Sequence, residues 1–118
     1  METWWSRKRG TQSQLLQKHV PVVIAWYQDQ CTLCNMEMKE AWPPVQDAAT
    51  KAGIPFVTLP VLNPEVSQAA GIQTVPVYHL VTAQPGASSP YGLGTSFEVF
   101  GSILRSRALL LRLQTMTR

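Results

Sequence analysis

The 118-residue sequence predicts an α/β fold in which a central mixed four-stranded sheet carries helices on both faces. Three observations predict it. Val22-Val23-Ile24-Ala25-Trp26-Tyr27 is an unbroken apolar run rich in β-branched and aromatic residues, which suits a strand covered on both sides. Two more such runs, Ile54 to Leu59 and Val77 to Val81, alternate with helix-forming stretches, the order that builds α/β layers. Ser96-Phe97-Glu98-Val99-Phe100 alternates with period two, as an antiparallel edge strand with one wet face does.

Taken in order, residues 1–10 are expected to form a flexible basic tail and residues 11–118 a single domain. Thr11-x-x-Gln14 has the form of a capping box; with Leu15 and Leu16 it predicts a short amphipathic helix that ends before Pro21 and leaves His19 at its polar end. Gln28-Asp29-Gln30 links the first strand to a helix-forming stretch, Asn35 to Trp42, which Pro43-Pro44 interrupts. Val45 to Ala52 resumes the helical pattern up to Gly53, so the prolines imply a kink or two abutting helices. A right-handed crossover would make the strand Ile54 to Leu59 parallel to the first. Asn63 as N-cap, Pro64 at the first helical position and Gly71 as stop delimit a short helix.

Val75-Pro76 opens the third strand, where proline is tolerated and the preceding peptide can become cis at modest cost. Gln84 to Gly94 holds two prolines and three glycines and predicts a turn-rich loop. After Gly101, residues 102–115 place Ile103, Leu104, Ala108, Leu109, Leu111 and Leu113 at spacings that predict a closing amphipathic helix.

An apolar fraction of 45% is ordinary for a globular domain large enough to bury a core without staples. The net charge of +3 conceals a segregation: residues 1–18 and 105–118 sum to +7, whereas residues 19–104 sum to −4. Basic ends attract acidic partners or anionic surfaces. No base-rich stretch is interleaved with aromatics, so no nucleic-acid groove is expected. Trp4 and Trp5 beside Arg7, Lys8 and Arg9 have the composition of a membrane-interface or partner contact, against the plainer reading of an ordinary terminus. No apolar stretch is long enough to span a bilayer, and the basic start is followed by polar Thr11-Gln12-Ser13-Gln14 instead of an apolar signal core. The default expectation is a cytoplasmic protein, or a periplasmic or membrane-associated one should a leader precede it.

The chemistry concentrates in Cys31-Thr32-Leu33-Cys34, which holds both cysteines of the chain. Cysteines three apart in a first helical turn have Cα atoms within the roughly 4.4–6.8 Å that a disulfide requires. The N-terminal one lies where free backbone N–H groups and the positive end of the helix dipole stabilise a thiolate. Cys31 is therefore the expected nucleophile and Cys34 the resolving thiol. Half of a zinc site has the same spacing, but only His19 and His79 could complete it and they form no close His pair, so no metal is expected. Two structural core cysteines are the plain alternative.

Cys31-x-x-Cys34 together with Gly71-Ile72-Gln73-Thr74-Val75-Pro76, in this order of elements over roughly residues 11–115, resembles the thioredoxin-like superfamily. The resemblance implies a cis Pro76 against the dithiol, a Val75 backbone that pairs with the substrate chain, and Thr32, Leu33, Val75 and Pro76 as substrate-contact residues. It also implies a protein disulfide or dithiol substrate, a separate redox partner and no cofactor. The chain departs from thioredoxins proper in having Gln30-Cys31-Thr32-Leu33-Cys34 in place of Trp-Cys-Gly-Pro-Cys, and Ala25 where they bury a carboxylate. Thr74-Val75-Pro76 is similar to glutaredoxin, yet Ala87-Ser88-Ser89-Pro90 lacks the Gly-Gly that family uses for glutathione. Valine before the proline is similar to periplasmic disulfide oxidases. The expected function is thiol-disulfide oxidoreduction, with a non-catalytic adaptor of the same fold as the alternative.

Overall fold

The computed structural model describes residues 20–62 and 64–117. The expected helix over residues 11–19, the Trp4-Trp5 tip, His19 and the Asn63 cap lie outside the described residues. Four strands and four helices follow in the order β1 (Val22–Tyr27), α1 (Thr32–Glu40), α2 (Trp42–Lys51), β2 (Phe56–Pro60), α3 (Pro64–Ala70), β3 (Val77–Ser89), β4 (Gly92–Phe100) and α4 (Ala108–Met116). The sheet runs β2-β1-β3-β4. It is mixed: β1 pairs parallel with β2 and antiparallel with β3, and β3 pairs antiparallel with β4.

The unbroken hydrophobicity of β1 follows from its place inside that sheet. Val22, Ile24 and Trp26 face a core with Val57, Leu59, Ala70, Val77, Val81 and Tyr91. Val23 and Ala25 face the opposite core, built with Val45 and Ala49 of α2, Tyr78 and Leu80 of β3, and Leu109 and Leu113 of α4. Alternating side chains thus need apolar character at every position, and each fully buried aliphatic adds about 1.5–3 kcal/mol.

Pro43 and Pro44 do not kink one helix. They occupy the first turn of α2, where a missing N–H costs nothing, and Ala41 separates the two helices. Gly53 and Gly71 end α2 and α3 with φ of 72° and 70°, backbone that favours glycine.

Two expectations are corrected. Residues 84–94 form no open loop, because β3 runs to Ser89 and β4 starts at Gly92. Pro85, Gly86 and Gly94 belong instead to an interruption of the ladder, whereas Gly92 pairs with Ser89. From the pair Ala83–Thr95 to the pair Ser88–Leu93, five steps along β3 run against two along β4, and Gly86 sits in that bulge with φ of 82°. The closing helix begins at Ala108, not at 102. Residues 103–105 form a turn, closed by Arg105 and Ser106 N–H groups donating to the Ser102 carbonyl at 3.2 and 3.0 Å.

Candidate dithiol site

β1 ends at Tyr27, and a turn at Asp29 and Gln30 delivers Cys31 to the mouth of α1. Gln30 takes a left-handed φ of 57°, which reverses the chain in few residues. Cys31 is the N-cap of α1, with extended backbone, and Cys34 lies in the first turn. A disulfide joins them, with Cα atoms 5.1 Å apart.

The two cysteines are not equivalent. Cys34 is fully buried, whereas Cys31 is half-buried, so one half of the disulfide faces solvent and the other faces the core. The Cys34 backbone N–H donates to Cys31 Sγ at 3.1 Å, and the Asn35 N–H donates to the Cys31 carbonyl at 3.0 Å. Cys31 therefore caps the helix with its sulfur, in the position where serine or aspartate would cap with oxygen. Negative charge on that sulfur is favoured by the donor and by the helix dipole. Thr32 and Leu33 are exposed beside it, and Met36 continues the exposed apolar stripe one turn on.

Val75-Pro76 is a cis peptide. The β1–β3 ladder ends at the pair Trp26–Val77, and Val75-Pro76 lies in the bend that immediately precedes β3. Gln28 and Val75 line one cleft of about 270 Å³ with Val61, Ser67, Ile72, Gln73 and Thr74. A second cleft of about 400 Å³ shares Gln28, Val61 and Ser67 and extends to Leu62, Pro64 and Gln68. Cys31, Thr32, Leu33 and Cys34 follow the end of β1, and Val75-Pro76 precede the start of β3. Of these residues only Val75 lines either cleft; none of Cys31, Thr32, Leu33, Cys34 or Pro76 does. The backbone of Gln73, Thr74 and Val75 enters no strand ladder, and no backbone hydrogen bond of the described loops engages it.

Sequence reasoning missed two buried polar clusters. The first centres on Glu37, the other buried residue of α1 besides Cys34 and one turn beyond it. Its Oε1 accepts from the Tyr78 hydroxyl at 3.0 Å and from the Ile103 N–H, and its Oε2 accepts from the Ser102 hydroxyl at 2.6 Å. Burial, then the Glu37 charge and hydrogen bond, holds the Tyr78 hydroxyl well above the usual phenol range. The available signal was helical spacing, since Cys34, Glu37 and Ala41 fall on one face.

The second joins Trp26, His79 and Tyr91. Trp26 Nε1–H donates to the Tyr91 hydroxyl at 3.1 Å, and His79 Nδ1 lies 2.6 Å from the same oxygen. His79 Nε2 has no hydrogen-bond partner among the described residues, and burial pushes the imidazole down to about 4. Burial likewise raises the Tyr91 hydroxyl. His79 stands in β3 opposite Ile24 of β1. Among the described residues, no three His, Cys, Asp or Glu side chains converge as metal ligands would, and no helix is long and apolar enough to cross a membrane. No known family, curated protein or solved structure matches this chain.

Proposed function

We propose that the protein is a thioredoxin-like thiol-disulfide oxidoreductase acting through Cys31 and Cys34. The observation that carries this reading is the asymmetry of the pair: a partly exposed Cys31, whose sulfur accepts a backbone amide, bonded to a fully buried Cys34. In the reduced protein, the Cys31 thiolate attacks one sulfur of a substrate disulfide, forms a mixed disulfide and expels the other substrate sulfur as a thiolate, which takes up a proton. Cys34 then loses its proton and attacks Cys31 Sγ. The second substrate thiolate leaves, and two electrons have passed from the protein to the substrate. From the disulfide form the same steps run in reverse, with a substrate thiolate attacking the accessible Cys31 sulfur. Thr32 and Leu33 flank the nucleophile, and the free backbone at Val75, beside cis Pro76, offers hydrogen bonds to an extended substrate chain.

The test is a pair of single-cysteine variants in an insulin-type disulfide reduction assay. Cys31→Ser abolishes turnover and forms no adduct, whereas Cys34→Ser accumulates a mixed disulfide with substrate. Turnover that survives Cys31→Ser, or a mixed disulfide that accumulates on Cys34 instead of Cys31, defeats the reading.

A further inference from the structure

Cys34 and Glu37 are the two buried residues of α1, and they stand three apart on its inner face. Helical residues at that spacing have Cβ atoms about 5–6 Å apart, and a helical side chain leans toward the helix N-terminus. The Glu37 side chain thus extends over the turn that holds Cys34. Donors converge on its carboxylate from two other parts of the fold: the Tyr78 hydroxyl of β3, and the Ser102 hydroxyl and Ile103 N–H after β4. None of these donors is a cation. Among the described residues the ion pairs are Lys51–Asp47 and Arg112–Glu98, so no base neutralises Glu37. Lys39, the one base of α1, is exposed and two residues on, hence on the opposite side of the helix. His79 follows Tyr78 in β3 and faces the other side of the sheet, with Trp26 and Tyr91.

Resting on the redox reading above, we propose that Glu37 is a positioning residue for the resolving step: its charge keeps Cys34 a thiol near neutral pH and so prolongs the mixed disulfide on Cys31. In that step the Cys34 S–H bond breaks and its proton passes to solvent. The new thiolate bonds to Cys31 Sγ, and the substrate sulfur leaves with the electron pair of the broken S–S bond. A second negative charge has to form beside Glu37 in a buried turn, which is what slows the step. With both oxygens engaged by donors, the carboxylate acts through its field. Cys31 stands six residues from Glu37, on the order of 9 Å along the helix, and is partly exposed, so the same charge bears less on the attacking sulfur.

The experiment mixes the reduced full chain with the neutral disulfide dithiodipyridine in a stopped-flow instrument; each dithiol oxidised releases two thiopyridones. The first release reports attack by Cys31 and scales with reagent concentration. The second reports Cys34 closing on Cys31 Sγ and is independent of reagent, and because Cys31 is then bonded, its own charge plays no part. The second-phase rate of the parent is expected to keep climbing past the roughly 8.5 of an ordinary thiol. Glu37→Gln is expected to speed that phase at pH 7 by about three- to tenfold, the larger thiolate fraction being partly offset by lower nucleophilicity, and to leave the first phase within about twofold. Glu37→Asp disturbs the packing but keeps the charge, and its second phase is expected to stay slow. A parent profile that levels off below about 8.5 overturns the proposal without any variant having to fold. A second phase that Glu37→Gln leaves unchanged or slows, or that both variants accelerate equally, overturns it as well. The absence of any reagent-independent second release is a different outcome: Cys34 then does not resolve, and the redox reading falls together with this inference.

Discussion

The Tyr78 hydroxyl donates to Glu37 Oε1 at 3.0 Å, tying the central sheet to the helix that carries the dithiol. The same carboxylate receives Ser102 and Ile103, 65 and 66 residues further along the chain, so one buried charge pins α1 to β3 and to the segment between β4 and α4. Its three donors are spent on it, which makes its removal costly in two ways: a cavity opens, and buried donors lose their acceptor.

Glu37→Ala is expected to destabilise the fold by about 3–5 kcal/mol, as breaking a buried charged network does. Glu37→Gln keeps one acceptor oxygen and is expected to cost about 1–3 kcal/mol. Urea denaturation at pH 7 measures both, and a cost under about 1 kcal/mol for the alanine variant contradicts the network.

At the dithiol, the proposed chemistry requires that reduction leave one sulfur more reactive than the other. Iodoacetamide is expected to alkylate Cys31 faster than Cys34 by on the order of tenfold or more at pH 7. The rate at Cys31 is expected to level off at a pH below the roughly 8.5 of an ordinary thiol. Peptide mapping after quenched alkylation across pH 5–9 reads both; equal labelling of the two sites contradicts the asymmetry.

His79 makes stability depend on acid. Burial pushes its imidazole down to about 4, against about 6.5 in the unfolded chain, so between these values the unfolded chain binds a proton that the folded one does not. The His79 contribution is complete above about pH 6.5 and is lost as pH falls toward 4, by up to about 3 kcal/mol, then levels off. Denaturant midpoints at pH 7 and pH 4.5, compared between the parent and His79→Leu, isolate this slope. The variant is expected to show a smaller loss on acidification, and an identical loss in both proteins sinks the assignment.

Tyr91→Phe removes the oxygen that Trp26 Nε1 and His79 Nδ1 share while keeping the ring in the core. The expected cost is about 1–3 kcal/mol in urea denaturation, the penalty for stranding buried polar groups. A neutral substitution shows that the hydroxyl contributes nothing.

Local patterns carried most of the fold. Val22–Tyr27 was readable because a strand buried on both faces must be apolar at every position, and the ends of α2 and α3 because glycine marks left-handed backbone. Residues 84–94 misled because the composition that makes a loop also makes a bulged hairpin. Only pairing of β3 with β4 separates the two.

By itself the sequence determined the alternation of strands and helices, the two cysteines one helical turn apart, and the proline at the head of the third strand. These are local matters of backbone preference and hydrophobic period. Only the tertiary structure decided that Gln28 and Val75 share a cleft, that Glu37 is buried against Tyr78, Ser102 and Ile103, and that Tyr91 reaches Trp26 65 residues away. Such contacts depend on strand register and on which face each side chain presents, and a shift of one residue along a strand would turn Tyr78 or Trp26 to the other side of the sheet.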